Sequence, residues 1–222
     1  SWQYMQEMLP LVQDLWQGDV AHEGRFWQFP SATSCPKPLQ KTVPMWVAAR
    51  SPITFDYAVA NDCNIMSWPL TLPFSEAVKY RTQLDEAIAK NGGTYAGRFA
   101  MMRHTSVYET ASDRQSALDA TRGVLSQFGN LIMKSGEVRN GFPDPVPLES
   151  LDGNFRVEPK MLEDNLMFGS PSQVIDKLGK YQEIGVDAFI YYASMGLGME
   201  QQRRSLQLFI ENVMPAFNNR KS

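Results

Sequence analysis

Residues 44–68, PMWVAARSPITFDYAVANDCNIMSW, decide the fold. The apolar run Met45–Ala49 is too short for an ordinary helix and follows Pro44, so it predicts a buried strand. Arg50 breaks the run. Ser51-Pro52 then opens a helix, with serine at the N-cap and proline at the first helical position, where a missing N–H costs nothing. Phe55, Ala58 and Val59 give that helix an apolar face, Asn61-Asp62 ends it, and Asn64–Trp68 predicts a second strand. The result is a β-α-β unit whose strand-to-helix turn carries chemistry. The unpaired N–H groups of a first helical turn, with the helix dipole, favour an anion. Ser51 and Thr54 lie three residues apart on one side of that turn, and Arg50 adds positive charge, so the pattern fits a single phosphate. The plain alternative is that Ser51 serves only as a cap.

Upstream, Trp2, Met5, Leu9, Val12 and Trp16 recur at helical spacing and predict a helix over residues 1–17, entered without an N-cap. Val20–Phe29, turning at Glu23-Gly24, predicts a small hairpin in which His22 is a surface residue, with nothing acidic placed to orient it. Pro36–Gln40 is a proline-rich connector. Downstream, Pro69–Pro73 is a loop and Ser75–Lys90 a helix expected to bury Ala77, Tyr80, Leu84, Ala87 and Ile88. Arg98–Thr110 reads as a strand, with Arg103-His104 as a polar pair inside it. One of that pair is expected to reach a ligand, unless one points outward to a helix. Asp113–Ile132 predicts a helix. Lys134–Asn165 loses periodicity and is rich in glycine and proline; stretches of this kind are functional or mobile, or simply disordered. Ser170-Pro171 opens a second helix, with Gln173 completing a capping box. A strand at Val186–Tyr192, a loop at Met195–Gly198 and a last helix from Glu200 to Val213 follow.

The chain has 222 residues, 43% of them hydrophobic, and a formal charge of -3, which suits an ordinary globular domain and gives no reason to expect nucleic acid or an anionic membrane surface. No apolar run approaches the ~20 residues of a membrane helix, and no signal peptide is expected. Two cysteines, Cys35 and Cys63, and two histidines give no metal-ligand spacing. Cys63 reads as a small buried hydrophobe. The cysteine usage suggests a reducing, cytoplasmic setting. No GxGxxG follows a strand, so a dinucleotide fold has little support. Strands near residues 45, 65, 103 and 189 alternate with helices, which argues a parallel α/β architecture.

Two stretches resemble the bacterial luciferase-like flavin-dependent monooxygenases. The strand ending in Arg50-Ser51 with Thr54 three residues on is similar to the family's FMN-phosphate segment, and Ser67-Trp68 to the strand end beside the flavin ring. Arg50 stands where luciferase itself has a glutamate, at a position that contributes mainly its backbone. "HEGRFWQF" resembles a hairpin segment of the family, and "GSPSQVIDKLGKYQEIGVDAFIYY" with "LFIENVMPAF" resembles its C-terminal signature. The resemblance spans nearly the whole chain and implies a (β/α)8 TIM barrel. A full barrel takes about 250 residues, so this chain is expected to be one partial-barrel domain, the C-terminal half with strands five to eight. Its outer strand edges would lack partners, and residues 134–165 would be a lid. The implied site is Arg50, Ser51, Thr54, Ser67 and Trp68 around FMN, with catalytic residues not assigned. The implied reaction is oxidation of a small organic substrate by reduced FMN and O2, with a separate NAD(P)H-flavin reductase and a homo-oligomeric full-length protein. Alternatives are an F420-dependent oxidoreductase of the same superfamily, and a flavin-binding protein without turnover.

Overall fold

Alternating burial along one strand sets the layering of the larger unit. A computed structural model describes residues 2–133, 137–144, 146–154, 157–193 and 196–218. The backbone groups into residues 1–45 and 46–222, taken separately here.

In residues 1–45, α1 (Trp2–Gln17) precedes an antiparallel pair, β1 (Val20–Glu23) and β2 (Gln28–Ala32), with an irregularity between Val20 and His22. The Glu7 carboxylate organises the turn between the two strands. Its Oε1 accepts the N–H groups of Phe26 and Trp27, both at 3.1 Å, and lies 3.1 Å from His22 Nε2. The expectation that nothing acidic orients His22 is therefore corrected. Glu7 lies 15 residues upstream on α1, a separation that local pattern cannot bridge. Burial pushes the Glu7 carboxyl up, but the His22 and backbone bonds outweigh it and hold it below the usual carboxylate range. Lys37 Nζ donates to the carbonyls of Leu15 and Gly18 and so neutralises the C-terminal end of α1.

In residues 46–222, parallel strands alternate with helices: β3 (Trp46–Ala48), α2 (Pro52–Ala60), β4 (Asn64–Ser67), α3 (Phe74–Lys90), β5 (Phe99–Val107) and α4 (Ala111–Met133). A short antiparallel pair follows, β6 (Val138–Arg139) and β7 (Phe142–Pro143), then α5 (Pro159–Asn165), β8 (Met167–Gly169), α6 (Pro171–Glu183), β9 (Ala188–Ala193) and α7 (Met199–Leu208). The parallel sheet runs β3-β4-β5, with β8 and β9 also on β5. Met101 pairs with both Ser67 and Phe189, and Thr105 with both Met167 and Ala193. Each such residue has one neighbour per side, so β9 occupies one edge of β5 while β4 and then β8 share the other. β3, β8 and β9 each pair on one side only among the described residues.

The strand at Met167–Gly169 adds a fifth parallel strand to the four expected from the sequence. Three residues are too few to show a period. Sequence reading left residues 134–165 structureless. Of the described part, residues 148–165 form a tight turn at Leu148–Leu151 and then α5, and bury Leu151, Val157 and Leu162. Lys134–Gly136, Pro145 and Phe155-Arg156, within the proposed lid, lie outside the described residues.

The two faces of the sheet differ. Val47, Ile65, Ser67, Phe99, Met101 and Arg103 are buried under the helices: Phe55 of α2 meets Phe99, Tyr181 of α6 meets Arg103, and Phe209 beyond α7 meets Phe189. On the other face Trp46, Met66, Trp68, Ile190 and Tyr192 are exposed or half-buried, Trp46 at 44%, whereas the central strand β5 is buried on both faces, with Ala100 and His104 at 0% and 1%. Strands covered on both faces read as continuous apolar runs and bury throughout. Here one face is covered and the other is partly open.

Candidate functional site

All parallel strands point their C-terminal ends to one edge, and the expected site residues collect there. At the end of β3, Ser51 is extended (φ -131°, ψ 152°) and α2 begins with Pro52. Ser51 and Thr54 are placed as a capping box, but the Ser51 hydroxyl closes no hydrogen bond to the N–H groups of the helix. Thr54 does the organising: its Oγ1 accepts the N–H groups of Arg50 (3.3 Å) and Ser51 (3.2 Å) and donates to the Ser51 carbonyl at 2.7 Å. The N–H groups of Thr54 and Phe55 return to the same carbonyl. Ser51 Oγ touches Thr54 Oγ1 at 3.2 Å and otherwise faces outward, with Arg50 exposed beside it.

The other helix of this form behaves differently. At Ser170-Pro171 the serine Oγ accepts Gln173 N–H at 3.4 Å and Ser170 N–H donates to Gln173 Oε1 at 2.8 Å, a reciprocal capping box. Both Ser-Pro starts have the capping-box arrangement, and they differ in one bond: Ser170 accepts a backbone N–H of its helix, whereas Ser51 meets only the Thr54 hydroxyl and stays exposed at the strand end.

Ser67 is fully buried on the helix-covered face and donates to the Ala49 carbonyl at 2.7 Å. It ties the end of β4 to the end of β3 one residue ahead of Arg50. Trp68 follows on the open face, where its ring meets His104 at 5.3 Å and Tyr192 at 5.6 Å, both edge-on. His104 and Tyr192 are register partners on β5 and β9, with ring centroids 4.5 Å apart. His104 is 1% exposed, and its Nδ1 and the Trp68 Nε1 are buried without a hydrogen-bond partner among the described residues. Burial, and then the charge of Arg103, lower the His104 pKa to about 4, so the imidazole is neutral near pH 7. Two buried ring nitrogens with unused capacity, framed by three rings, form an aromatic floor beside the Ser51 turn.

The Arg103-His104 pair divides between the two faces of the sheet. His104 lies on the open face, and Arg103 points to the helix layer. Tyr192 is missing from the sequence-derived site. Its signal is the alternation of β9, which places the second tyrosine of Tyr191-Tyr192 on the face opposite the helices. Among the described residues no group of three or more His, Cys, Asp or Glu side chains is arranged to hold a metal, and no helix is long and apolar enough to cross a membrane.

Comparison with known proteins settles the family at this point. The family model described as "Luciferase-like monooxygenase" matches residues 1–188. The chain belongs to the luciferase-like monooxygenase family. It is 34% identical, over 220 residues, to the oxygenase component of a flavin-dependent trigonelline monooxygenase from Acinetobacter baylyi, covering 99% of this chain and 61% of that protein. Monooxygenase RslO1 from Streptomyces bottropensis superposes with a TM-score of 0.68 at 20% identity, over 96% of this chain and 60% of that one. The coenzyme F420-dependent tetrahydromethanopterin reductase from Methanopyrus kandleri does so with a TM-score of 0.67 at 16% identity, over 96% and 63%. Both likenesses concern the fold, a parallel α/β arrangement of the luciferase-like type. The chain spans about three-fifths of the length of the relatives it matches.

Proposed function

We propose that this chain carries the flavin-phosphate half of a two-component monooxygenase that uses reduced FMN and O2 to oxidise a small organic molecule. The observation that supports it most is the exposed Ser51 hydroxyl, which closes no hydrogen bond to a backbone N–H, meets Thr54 Oγ1 at 3.2 Å, and is set beside Arg50 at the C-terminal edge of the sheet. A phosphate there would meet the Ser51 hydroxyl and the helix N-terminus, with the Arg50 charge beside it. Thr54 shapes the turn and Ser67 fixes the two strand ends. The Trp68–His104–Tyr192 floor would pack against the ring system and keep water off it. Bound reduced FMN would supply the electrons for oxygen activation. The residues described here bind, orient and exclude water.

The rest of the proposal follows the relative's printed name and the open sheet face. A component named as an oxygenase supports a separate NAD(P)H-flavin reductase. The partly open face supports the reading of β3, β4, β5 and β9 as strands five to eight of a (β/α)8 barrel that further strands complete, with β8 a short addition; a homo-oligomeric, cytoplasmic enzyme is proposed with it. Residues 134–165 are proposed as its lid.

FMN titration followed by flavin fluorescence tests the reading. Ser51→Ala should weaken FMN about tenfold or more, the size of one hydrogen bond to a charged group. F420 as a second titrant separates the F420-dependent alternative, and trigonelline is the first substrate to offer with reduced FMN in air. Equal FMN affinity in the parent and Ser51→Ala would overturn the phosphate site.

A further inference from the structure

Arg103 is the largest fully buried side chain in the described protein, 0% exposed. A buried guanidinium without a carboxylate is costly unless its donors are all met, and no acidic side chain pairs with it among the described residues. Oxygen acceptors replace the carboxylate. Nε donates to the Tyr181 hydroxyl at 2.8 Å, Nη1 to the carbonyls of Leu70 (3.0 Å) and Leu72 (2.8 Å), and Nη2 to the Pro73 carbonyl at 3.4 Å. Three of these four acceptors belong to residues 69–73, the loop that leaves the open face directly after Trp68. Asn165 Nδ2 takes the remaining carbonyl between them, Thr71, at 2.9 Å. Leu70 sits in the left-handed region at φ 57°, a conformation that costs a non-glycine residue energy and persists only where the surroundings enforce it.

The neighbouring residue on β5 acts on the other end of the same segment. His104, one position along and on the opposite face, lies against the Trp68 ring at 5.3 Å. We propose that Arg103 is a positioning residue: from the helix side of the sheet its guanidinium clamps residues 69–73, and through that loop it sets the Trp68 indole over the aromatic floor. The loop lies between β4 and α3; its backbone bonds are the turn from Leu72 N–H to the Pro69 carbonyl and the Glu76 N–H on Pro73 as α3 begins, and side-chain donors supply the rest of its order. A lysine brings a point charge with three donors and not the planar fork that spans Tyr181 and three carbonyls together. The ligand part of this proposal rests on the flavin reading above; the clamp itself does not.

Amide hydrogen exchange of Leu72, whose N–H donates to the Pro69 carbonyl within the loop, is the primary test. Arg103→Met keeps the aliphatic stem and removes every donor. Exchange in that loop should rise about tenfold or more, the scale of one lost charge-assisted hydrogen bond, with β4 unchanged and with partial recovery in Arg103→Lys. The Trp68 emission, taken as the difference between each protein and the same protein carrying Trp68→Phe, should shift to the red in Arg103→Met. Riboflavin and FMN affinities should fall together in Arg103→Met, whereas Ser51→Ala should weaken FMN alone. Should the parent bind neither flavin, the functional reading fails and the exchange result still judges the clamp. Unchanged exchange in the loop overturns the clamp, and changed exchange with unchanged Trp68 emission overturns its link to the indole. If Arg103→Met does not fold, Tyr181→Phe removes one acceptor only. It should loosen the same loop to a smaller degree, and no change there overturns the proposal.

Discussion

Ser67 donates its buried hydroxyl to the carbonyl of Ala49 at 2.7 Å, joining the ends of two neighbouring parallel strands just before each delivers a residue to the open face. Ser67→Ala leaves that carbonyl without its partner in a dry environment, at a cost of about 1–3 kcal/mol. We expect a lower midpoint in urea unfolding and a weaker FMN signal, although Ser67 itself is covered by the helix layer. An unchanged midpoint would show that the bond contributes nothing net.

His104 gives the protein an acid-sensitive edge. Its folded-state pKa of about 4 lies below the ordinary 6.5, so the unfolded chain takes up a proton more readily than the folded one. Stability from this group is complete above pH 6.5 and declines as pH falls from there towards 4. The full loss is on the order of 3 kcal/mol. Urea unfolding at a series of pH values should show this slope in the parent and a flatter one in His104→Phe. Parallel curves would remove His104 as the cause.

The two Ser-Pro helix starts make opposite predictions. Ser170→Ala removes an N-cap that its helix uses and should cost about 1 kcal/mol of stability with flavin affinity unchanged. Ser51→Ala should do the reverse, since its hydroxyl takes no backbone N–H. Thermal unfolding and FMN titration of both variants check the pair. A stability loss at Ser51 equal to that at Ser170 would return Ser51 to an ordinary cap.

Within residues 134–165, the described segments differ in how they are held. Arg122 Nη2 meets Asp152 at 2.8 Å, Glu163 takes Arg114 and the Tyr108 hydroxyl, and Lys177 Nζ donates to the carbonyls of Glu163, Leu166 and Phe168. The antiparallel pair before them exposes Val138 and Phe142. Brief trypsin treatment should therefore cut after Arg139 before it cuts after Lys160, and bound flavin should slow the first cut if this segment closes over it. First cleavage within α6 would exclude the hairpin as the weak point.

Much of this arrangement is legible along the chain because it is local. Pro44, the five apolar residues after it and Ser51-Pro52 specify strand, turn and helix within a dozen positions, and Ser170-Pro171 with Gln173 does the same. What sequence cannot show is which neighbour each side chain meets. Glu7 and His22, or Arg103 and the carbonyls of residues 70–73, meet only once the chain has folded. The three-residue strand at Met167–Gly169 escapes for a different reason: its pairing with β5 is tertiary, and nothing in three residues announces it. Tyr192 escapes because alternation names a face only after the helix layer is known to cover the other one.

β5 also dictates a schedule. Phe99 N–H donates to the Asp187 carboxylate and Asp187 N–H returns to the Phe99 carbonyl, both at 2.8 Å, between residues 88 positions apart. At roughly 5–20 residues per second, a ribosome would finish β5 about 4–18 s before the strand that belongs on its second side has been made. For that interval the nascent chain carries Ala100, Met101 and Met102 on an unclaimed strand edge. Survival of the newborn protein then depends on what shields that edge, so slower translation or a shortage of holding chaperones should reduce yield more than any change in the stability of the finished fold.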